Sequence, residues 1–151
     1  MPLVECGFPP PPGEEPPNTL IAHGPTLPVD IGFDENYDHT LAKPPVTEIQ
    51  QVPALIDTGA TFSCIDDALA AQLNLPVVDQ ATVGGIAGSH VANVYLAQVY
   101  VPKFEFTQYG VFLGAGLTEG GQQHQALLGR SFLAGFIMIY DGIRGQVTLG
   151  R

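Results

Sequence analysis

The chain has 151 residues and an acidic balance, 15 Asp and Glu against 5 Lys and Arg, for a formal net charge of -10. That charge excludes a phosphate-gripping nucleic-acid surface and argues against docking on an anionic membrane, because both need clustered cations. With 45% hydrophobic and only 13% charged residues, the composition suits one domain with its own apolar core, not a disordered polyelectrolyte.

Residues 1–24 hold Pro9 to Pro12, Pro16 and Pro17 around Glu14 and Glu15. Such a run favours extended polyproline conformation and predicts a flexible, strap-like N-terminal arm. It has neither the basic start nor the long apolar stretch of a secretory signal, and no later segment is apolar for long enough to span a bilayer, so the expected compartment is the cytoplasm. The folded domain is expected over residues 25–151. It begins with a strand at Thr26–Phe33 bearing an edge proline, followed by a solvated acidic loop (Asp34 to Asp38) and Lys43-Pro44-Pro45. Val52 to Ile56 is a short apolar run, and Phe62 to Ile65 is a second one. Asp66 to Leu73, with an acid at its cap and Pro76 beyond its end, predicts a two-turn helix in which Asp66 and Asp67 serve the helix terminus.

Glycines from Gly84 to Gly88 between β-prone runs read as a hairpin tip. Val91 to Val101 alternates as a long strand with Val91, Asn93, Tyr95, Ala97, Val99 and Val101 on one face. Strand texture recurs at Phe104–Phe106 and Val111–Leu113, and Gly114 to Gln125 reads as a loop. Ala126 to Leu128 is a buried strand, Ser131 to Gly135 one helical turn, and Phe136–Tyr140 with Gln146–Leu149 a closing hairpin. The sum is mainly β with one or two short helices, a barrel or a sandwich.

Four features stand in order: an apolar run into Asp57-Thr58-Gly59-Ala60, the glycine hairpin, Leu127-Leu128-Gly129-Arg130, and a short helix with a terminal strand. Together they resemble the retropepsin-like aspartic proteases, the single-domain relatives of pepsin, over about residues 25–151. The resemblance implies a closed acid-protease barrel. It also implies an endopeptidase that hydrolyses extended, apolar peptide segments without metal or cofactor, with Asp57 as the catalytic carboxylate. That chemistry needs two carboxylates on one water, one to take a proton and one to give. The chain holds one Asp-Thr-Gly, so the second must come from another copy across a twofold axis.

By the same resemblance, the Thr58 hydroxyl would brace the two loops across the axis, and Gly59 would let backbone and substrate approach the carboxylate. Ala60 stands where pepsin-like enzymes carry a hydroxyl, which implies a less acidic working range than pepsin's. Gly84, Gly85, Ile86, Ala87 and Gly88 would form the flap that closes over substrate. Arg130 matches an arginine that in viral retropepsins pairs with an acid just after the catalytic motif. The matching position here is Thr61, so the expected partner of Arg130 is Asp66, Asp67 or an acid of the other subunit. The closing hairpin also departs from the viral pattern toward that of a pepsin lobe.

Other chemistry is poorly supported. His23, His39, His90 and His124 are scattered without zinc-ligand spacing to Cys6 or Cys64. Ser63-Cys64 has no nucleophile-elbow pattern, and the glycine hairpin lacks the lysine of a phosphate loop. A Cys6–Cys64 bridge stays open, but the preferred reading is one buried and one exposed thiol in a reducing compartment. The alternative function is a retropepsin-like dimerisation or peptide-binding domain with little or no turnover.

Overall fold

Alternating apolar residues build the first hairpin of the domain. Strand β2 (Thr26–Gly32) pairs antiparallel with β3 (Ile49–Ile56), and Leu27, Val29, Ile31, Val52 and Ala54 are almost wholly buried between them and the rest of the core. Pro28 lies opposite Pro53, so the two residues that cannot donate to a ladder face each other. β2 acquires its second neighbour, β6 (Gly88–Val101), only from Asp30 to Gly32, clear of the proline. The computed structural model describes residues 1–86 and 88–151; Ala87, one of the five residues expected in the flap, lies outside the described residues.

The seven-stranded sheet runs β2, β3, β8 (Ala126–Leu128), β4 (Cys64–Asp66), β7 (Phe106–Ala115), β6 and β5 (Val77–Gly85), with β2 also paired to β6. The extra pairing closes six of the strands into a ring and leaves β5 (Val77–Gly85) outside it. β8 (Ala126–Leu128) is parallel to β3 on one side and antiparallel to β4 (Cys64–Asp66) on the other. β4 in turn lies parallel to β7 (Phe106–Ala115). The loop joining β3 to β4 therefore wraps around the end of β8. The ring's interior is filled by Ile56, Ile65, Ala97, Val99, Val101, Phe112, Leu128 and Phe132, each at most 4% exposed. Each large member contributes about 1.5–3 kcal/mol by leaving water.

Helix α2 (Asp67–Gln72) follows its predicted cap, with Asp66 accepting from the Leu69 N–H at 3.3 Å. β6 (Gly88–Val101) is long enough to serve three neighbours, with β7 on one edge and β5 and then β2 along the other. Its inner half buries Tyr95, Ala97, Val99 and Val101, while Val91 at the outer end is exposed because β5 and the start of β6 project beyond the ring. The strand texture expected at Phe104–Phe106 is interrupted. Pro102 opens a 3-10 turn (Pro102–Phe104) and Glu105 takes a left-handed φ of 48° before β7 starts. Helix α3 (Arg130–Leu133) supplies the single turn after β8.

Residues 1–24 are more ordered than their proline content predicts. β1 (Leu3–Cys6) pairs with β10 (Gln146–Gly150), which pairs with β9 (Ile137–Asp141), giving a second, three-stranded sheet. Pro16 opens helix α1 (Pro16–His23), where its missing N–H costs nothing. Val4, Cys6 and Leu20 join the core. With α1, α2 and α3 the described residues hold three short α-helices, one more than the upper expectation. Cys6 is the buried thiol and Cys64 the half-buried one; both are free.

Candidate active site

Ile56 ends β3 in the core, and Asp57 is the first residue past it. The Asp57 N–H donates to the Leu128 carbonyl at 2.9 Å, so the strand's last bond fixes the start of the loop. The loop then turns on its own carboxylate. Asp57 Oδ1 accepts from the Gly59 N–H at 2.9 Å, and the Ala60 N–H donates to the Asp57 carbonyl at 3.2 Å. A Cβ at Gly59 would stand 3.1 Å from Asp57 Oδ1, so glycine permits this close approach. Asp57 and Ala60 are half-buried, and Thr58 and Gly59 are exposed. The arrangement presents one carboxylate, oriented by a backbone N–H, at the surface.

The far side of the loop is locked from β8 and α3. The Arg130 N–H donates to the Ala60 carbonyl at 2.9 Å and the Ser131 N–H to the Thr61 carbonyl at 3.0 Å. Gly129 passes so close beneath that an added Cβ would meet Phe62 O at 2.6 Å and Ala60 O at 2.9 Å. Ser63, which is buried, accepts from the Gly129 N–H at 3.2 Å and donates to Gln108 Oε1 at 3.0 Å. The Gln108 side chain continues to the Ser131 hydroxyl. Ser63 is thus committed to bracing, and sequence reasoning found neither this role nor Gln108. Cys64 is no better placed as a nucleophile: burial, and then the negative charge of Asp57, push its thiol up to about 11.

Arg130 meets neither Asp66 nor Asp67. Its guanidinium donates to the Thr58 carbonyl at 2.8 Å and to the Thr61 hydroxyl at 3.0 Å. The two aspartates are engaged elsewhere. Buried Asp66 accepts from the N–H groups of Leu69, Leu117 and Thr118 and from the Thr118 hydroxyl. Asp67 accepts from the Tyr95 hydroxyl at 2.7 Å; burial first, and then this bond, raise the tyrosine's pKa. The expected pairing failed because Asp66 is the anchor of the loop at 117–118 as well as a helix cap.

The predicted glycine hairpin forms, with Gly84 opposite Ser89 and Gly85 opposite Gly88. Ile86 stands fully exposed at its tip. His90 is a solvent-facing residue opposite Val83. The other histidines are engaged with other partners. His39 stacks on Tyr109 with ring centroids 4.8 Å apart. Phe8 lies between His23 and His124, at 5.6 and 5.7 Å. Among the described residues no group of three or more His, Cys, Asp or Glu could hold a metal ion.

An Asp-Thr-Gly loop braced by a threaded Leu-Leu-Gly strand is the local pattern that the sequence implied. A model of the aspartyl protease family matches residues 46–132, more than half of the chain and the whole of this construction. The chain belongs to the aspartyl protease family. Among solved structures, this aspartyl protease is similar to the EIAV protease complexed with the inhibitor HBY-793, at 19% identity and a TM-score of 0.47, over 73% of this chain and 85% of that one. It is similar also to the simian foamy virus (mac) protease in solution, at 16% identity and a TM-score of 0.47, over 72% of this chain and 91% of that one. No curated protein matches it. No helix among the described residues is long and apolar enough to cross a membrane.

Proposed function

We propose that the chain is one half of a homodimeric aspartic endopeptidase that cuts extended, apolar peptide segments in the cytoplasm, with Asp57 of each subunit forming the catalytic dyad. The observation that carries this reading is the single half-buried carboxylate of Asp57, held by the Gly59 N–H in a loop braced from β8. Alone it is half of the machinery. Beside its twin the two carboxyls would share a proton, because both cannot ionise cheaply at contact distance. The ionised Asp57 takes a proton from water, and the water oxygen attacks the scissile carbonyl carbon. The protonated Asp57 gives its proton to the carbonyl oxygen, producing a tetrahedral diol. Collapse breaks the C–N bond as the amine leaves with a proton from the dyad.

The Gly84–Gly88 hairpin is read as the flap, pairing with substrate as an added strand and excluding water under Ile86. Ala60 offers no hydroxyl to stabilise the ionised dyad, so the working range is milder than pepsin's. A second copy has a surface to meet. Among the described residues β9 is a free sheet edge, and Leu3, Ile137 and Ile139 are 62%, 59% and 59% exposed on the terminal sheet. Such an unpaired apolar edge calls for a partner.

The test is cleavage of a peptide library by the wild type and by Asp57→Asn across a range of pH. Cleavage by the wild type alone, with an optimum above about pH 3, supports the reading. Equal activity in both removes Asp57 from the mechanism. Silence in both, with a dimer in solution, favours a peptide-binding domain without turnover.

A further inference from the structure

The two histidines that flank Phe8 are both held in the neutral form by their hydrogen bonds. His124 is 2% exposed. The Thr26 hydroxyl donates to the Gly24 carbonyl at 3.2 Å, so it accepts from His124 Nε2 at 2.8 Å. The ring proton therefore sits on Nε2, and Nδ1 is buried with no partner among the described residues. A second proton there creates a buried cation with an unsatisfied donor. His23 is in a related state. Its Nδ1 stands 2.7 Å from the Gln123 amide nitrogen and accepts from it, so a proton on Nδ1 forces that amide to turn over.

Nothing around the pair compensates a positive charge. From α1, His23 itself opposes protonation of His124. Phe8 of the arm, Thr26 of β2 and Gln123 of the loop before β8 are uncharged. Glu14 and Glu15, ahead of α1, and Glu119, in that loop, pair with neither ring: the ion pair among the described residues joins Arg144 to Asp141.

The segment that these rings hold is lightly held otherwise. Helix α1 has eight residues and buries Thr19 and Leu20; a helix this short does not persist without its docking contacts. It leads directly to Pro25, whose carbonyl accepts from the Ile56 N–H at 2.9 Å, one residue before Asp57. Thr26 stands opposite Leu55 in the same ladder. The histidine pair thus lies at the root of the strand that carries Asp57.

We propose that residues 7–24 form a pH-operated strap, docked while His23 and His124 are neutral and released when they take protons, and that release loosens the Pro25–Ile56 anchor beside Asp57. The released histidines regain ordinary proton affinity, so below about pH 6.5 the released state binds more protons than the docked one. Docking is therefore complete above about pH 6.5 and is lost as pH falls toward the docked value. β1 keeps its ladder with β10 throughout, so the strap stays tethered at both ends. The device needs no catalysis and does not depend on the reading of Asp57.

The test is residue-resolved amide hydrogen exchange of the full-length chain at pH 7.5 and pH 5, with each rate divided by the intrinsic rate at that pH. The Gly24 amide, which donates to the Leu20 carbonyl, and the Ile56 amide should lose protection at least about fivefold at the lower pH, while Ala97 to Val99 in the core of β6 keep theirs. His23→Gln combined with His124→Gln should remove the difference, because an amide keeps a donor in each place and does not titrate. Phe8→Ala should show at pH 7.5 the exchange that the wild type shows at pH 5. Equal protection of Gly24 at the two pH values overturns the proposal, as does a loss that the double variant shares or one that spreads equally to β6. If the double variant does not fold, Phe8→Ala decides: full protection of Gly24 in it at pH 7.5 overturns the strap. Loss at Gly24 with Ile56 still protected overturns the link to the Asp57 strand.

Discussion

Arg130 and Thr61 are joined by a hydrogen bond of 3.0 Å from the guanidinium to the threonine hydroxyl. An uncharged hydroxyl thus takes the place of the acidic partner expected for Arg130. The second arm of the same guanidinium reaches the Thr58 carbonyl at 2.8 Å. One side chain therefore spans the loop that carries Asp57, through two N–H donors of its planar fork.

Arg130→Lys should fail to replace it. A lysine ammonium is a point donor on a flexible stem and cannot hold both oxygens in one geometry. Losing one or both bonds at this exposed position should cost no more than about 1–2 kcal/mol of stability, while peptide cleavage falls at least about tenfold because the Asp57 loop is misplaced. Paired measurements of Tm and kcat/KM separate these effects. A variant with wild-type kcat/KM would show that the bridge does not position the site.

Gly129→Ala tests the threading of β8. The added methyl has backbone oxygens of Phe62 and Ala60 on two sides, neither able to yield as a flexible side chain would. Overpacking of this kind costs about 1–3 kcal/mol or more. Gly135→Ala is the control, since nothing lies within 4 Å of its added Cβ. Urea unfolding should place the first variant well below the wild type and the second close to it.

How far the site could be read from sequence follows from which interactions are local. The Asp57 motif, the glycine hairpin, β8 and the Asp66 cap are carried by neighbouring residues, and each appeared where its pattern put it. Bracing across the chain was not legible. Ser63 reaches Gly129 and Gln108, and Asp66 reaches Thr118, over separations of 45 to 66 residues. The N-terminal segment misled for a related reason. Leu3 to Cys6 is a strand because β10, more than 140 residues away, offers an edge, and composition dominated by Pro9 to Pro12 conceals it.

Asp66→Asn should be destabilising out of proportion to its size. Oδ1 accepts from the Leu117 and Thr118 N–H groups, and Oδ2 from the Leu69 N–H and the Thr118 hydroxyl. An asparagine amide must turn an NH2 toward one of these donor pairs inside a buried site. The loss should be about 2–3 kcal/mol, the scale of hydrogen bonds to a buried charged group. Chemical denaturation of the two proteins at neutral pH measures it; equal midpoints would deny Asp66 its anchoring role.

His124 makes stability depend on pH in a definite direction. Burial, assisted by nearby His23, lowers its pKa below the ordinary value of 6.5, and its Nδ1 has no hydrogen-bond partner among the described residues. Between the folded value and about 6.5 the unfolded chain binds more protons than the native one. The favourable contribution is therefore complete above about pH 6.5 and is lost as pH falls toward the folded value. Urea midpoints should drop from pH 7.5 to pH 5, and His124→Gln should flatten that slope. An unchanged slope would assign the acid sensitivity to other groups.

Ile139→Lys addresses the second copy. The face of the terminal sheet that carries Val147 and Leu149 is buried at 0% exposure, whereas Leu3, Ile137 and Ile139 point away from the core. Their register aligns them, with Leu3 opposite Gly150 and Gly150 opposite Ile137. A lysine on β9 would be doubled by twofold symmetry, placing like charges in an apolar contact. Because Ile139 is exposed in the protomer, the variant's Tm at low protein concentration should match that of the wild-type monomer. Sedimentation velocity should show the monomer, and cleavage should recover only as protein concentration is raised. A variant that still dimerises and cleaves moves the interface to another surface and leaves the Asp57 dyad standing. A variant that is monomeric yet fully active would break the dyad itself, because a lone Asp57 would then suffice.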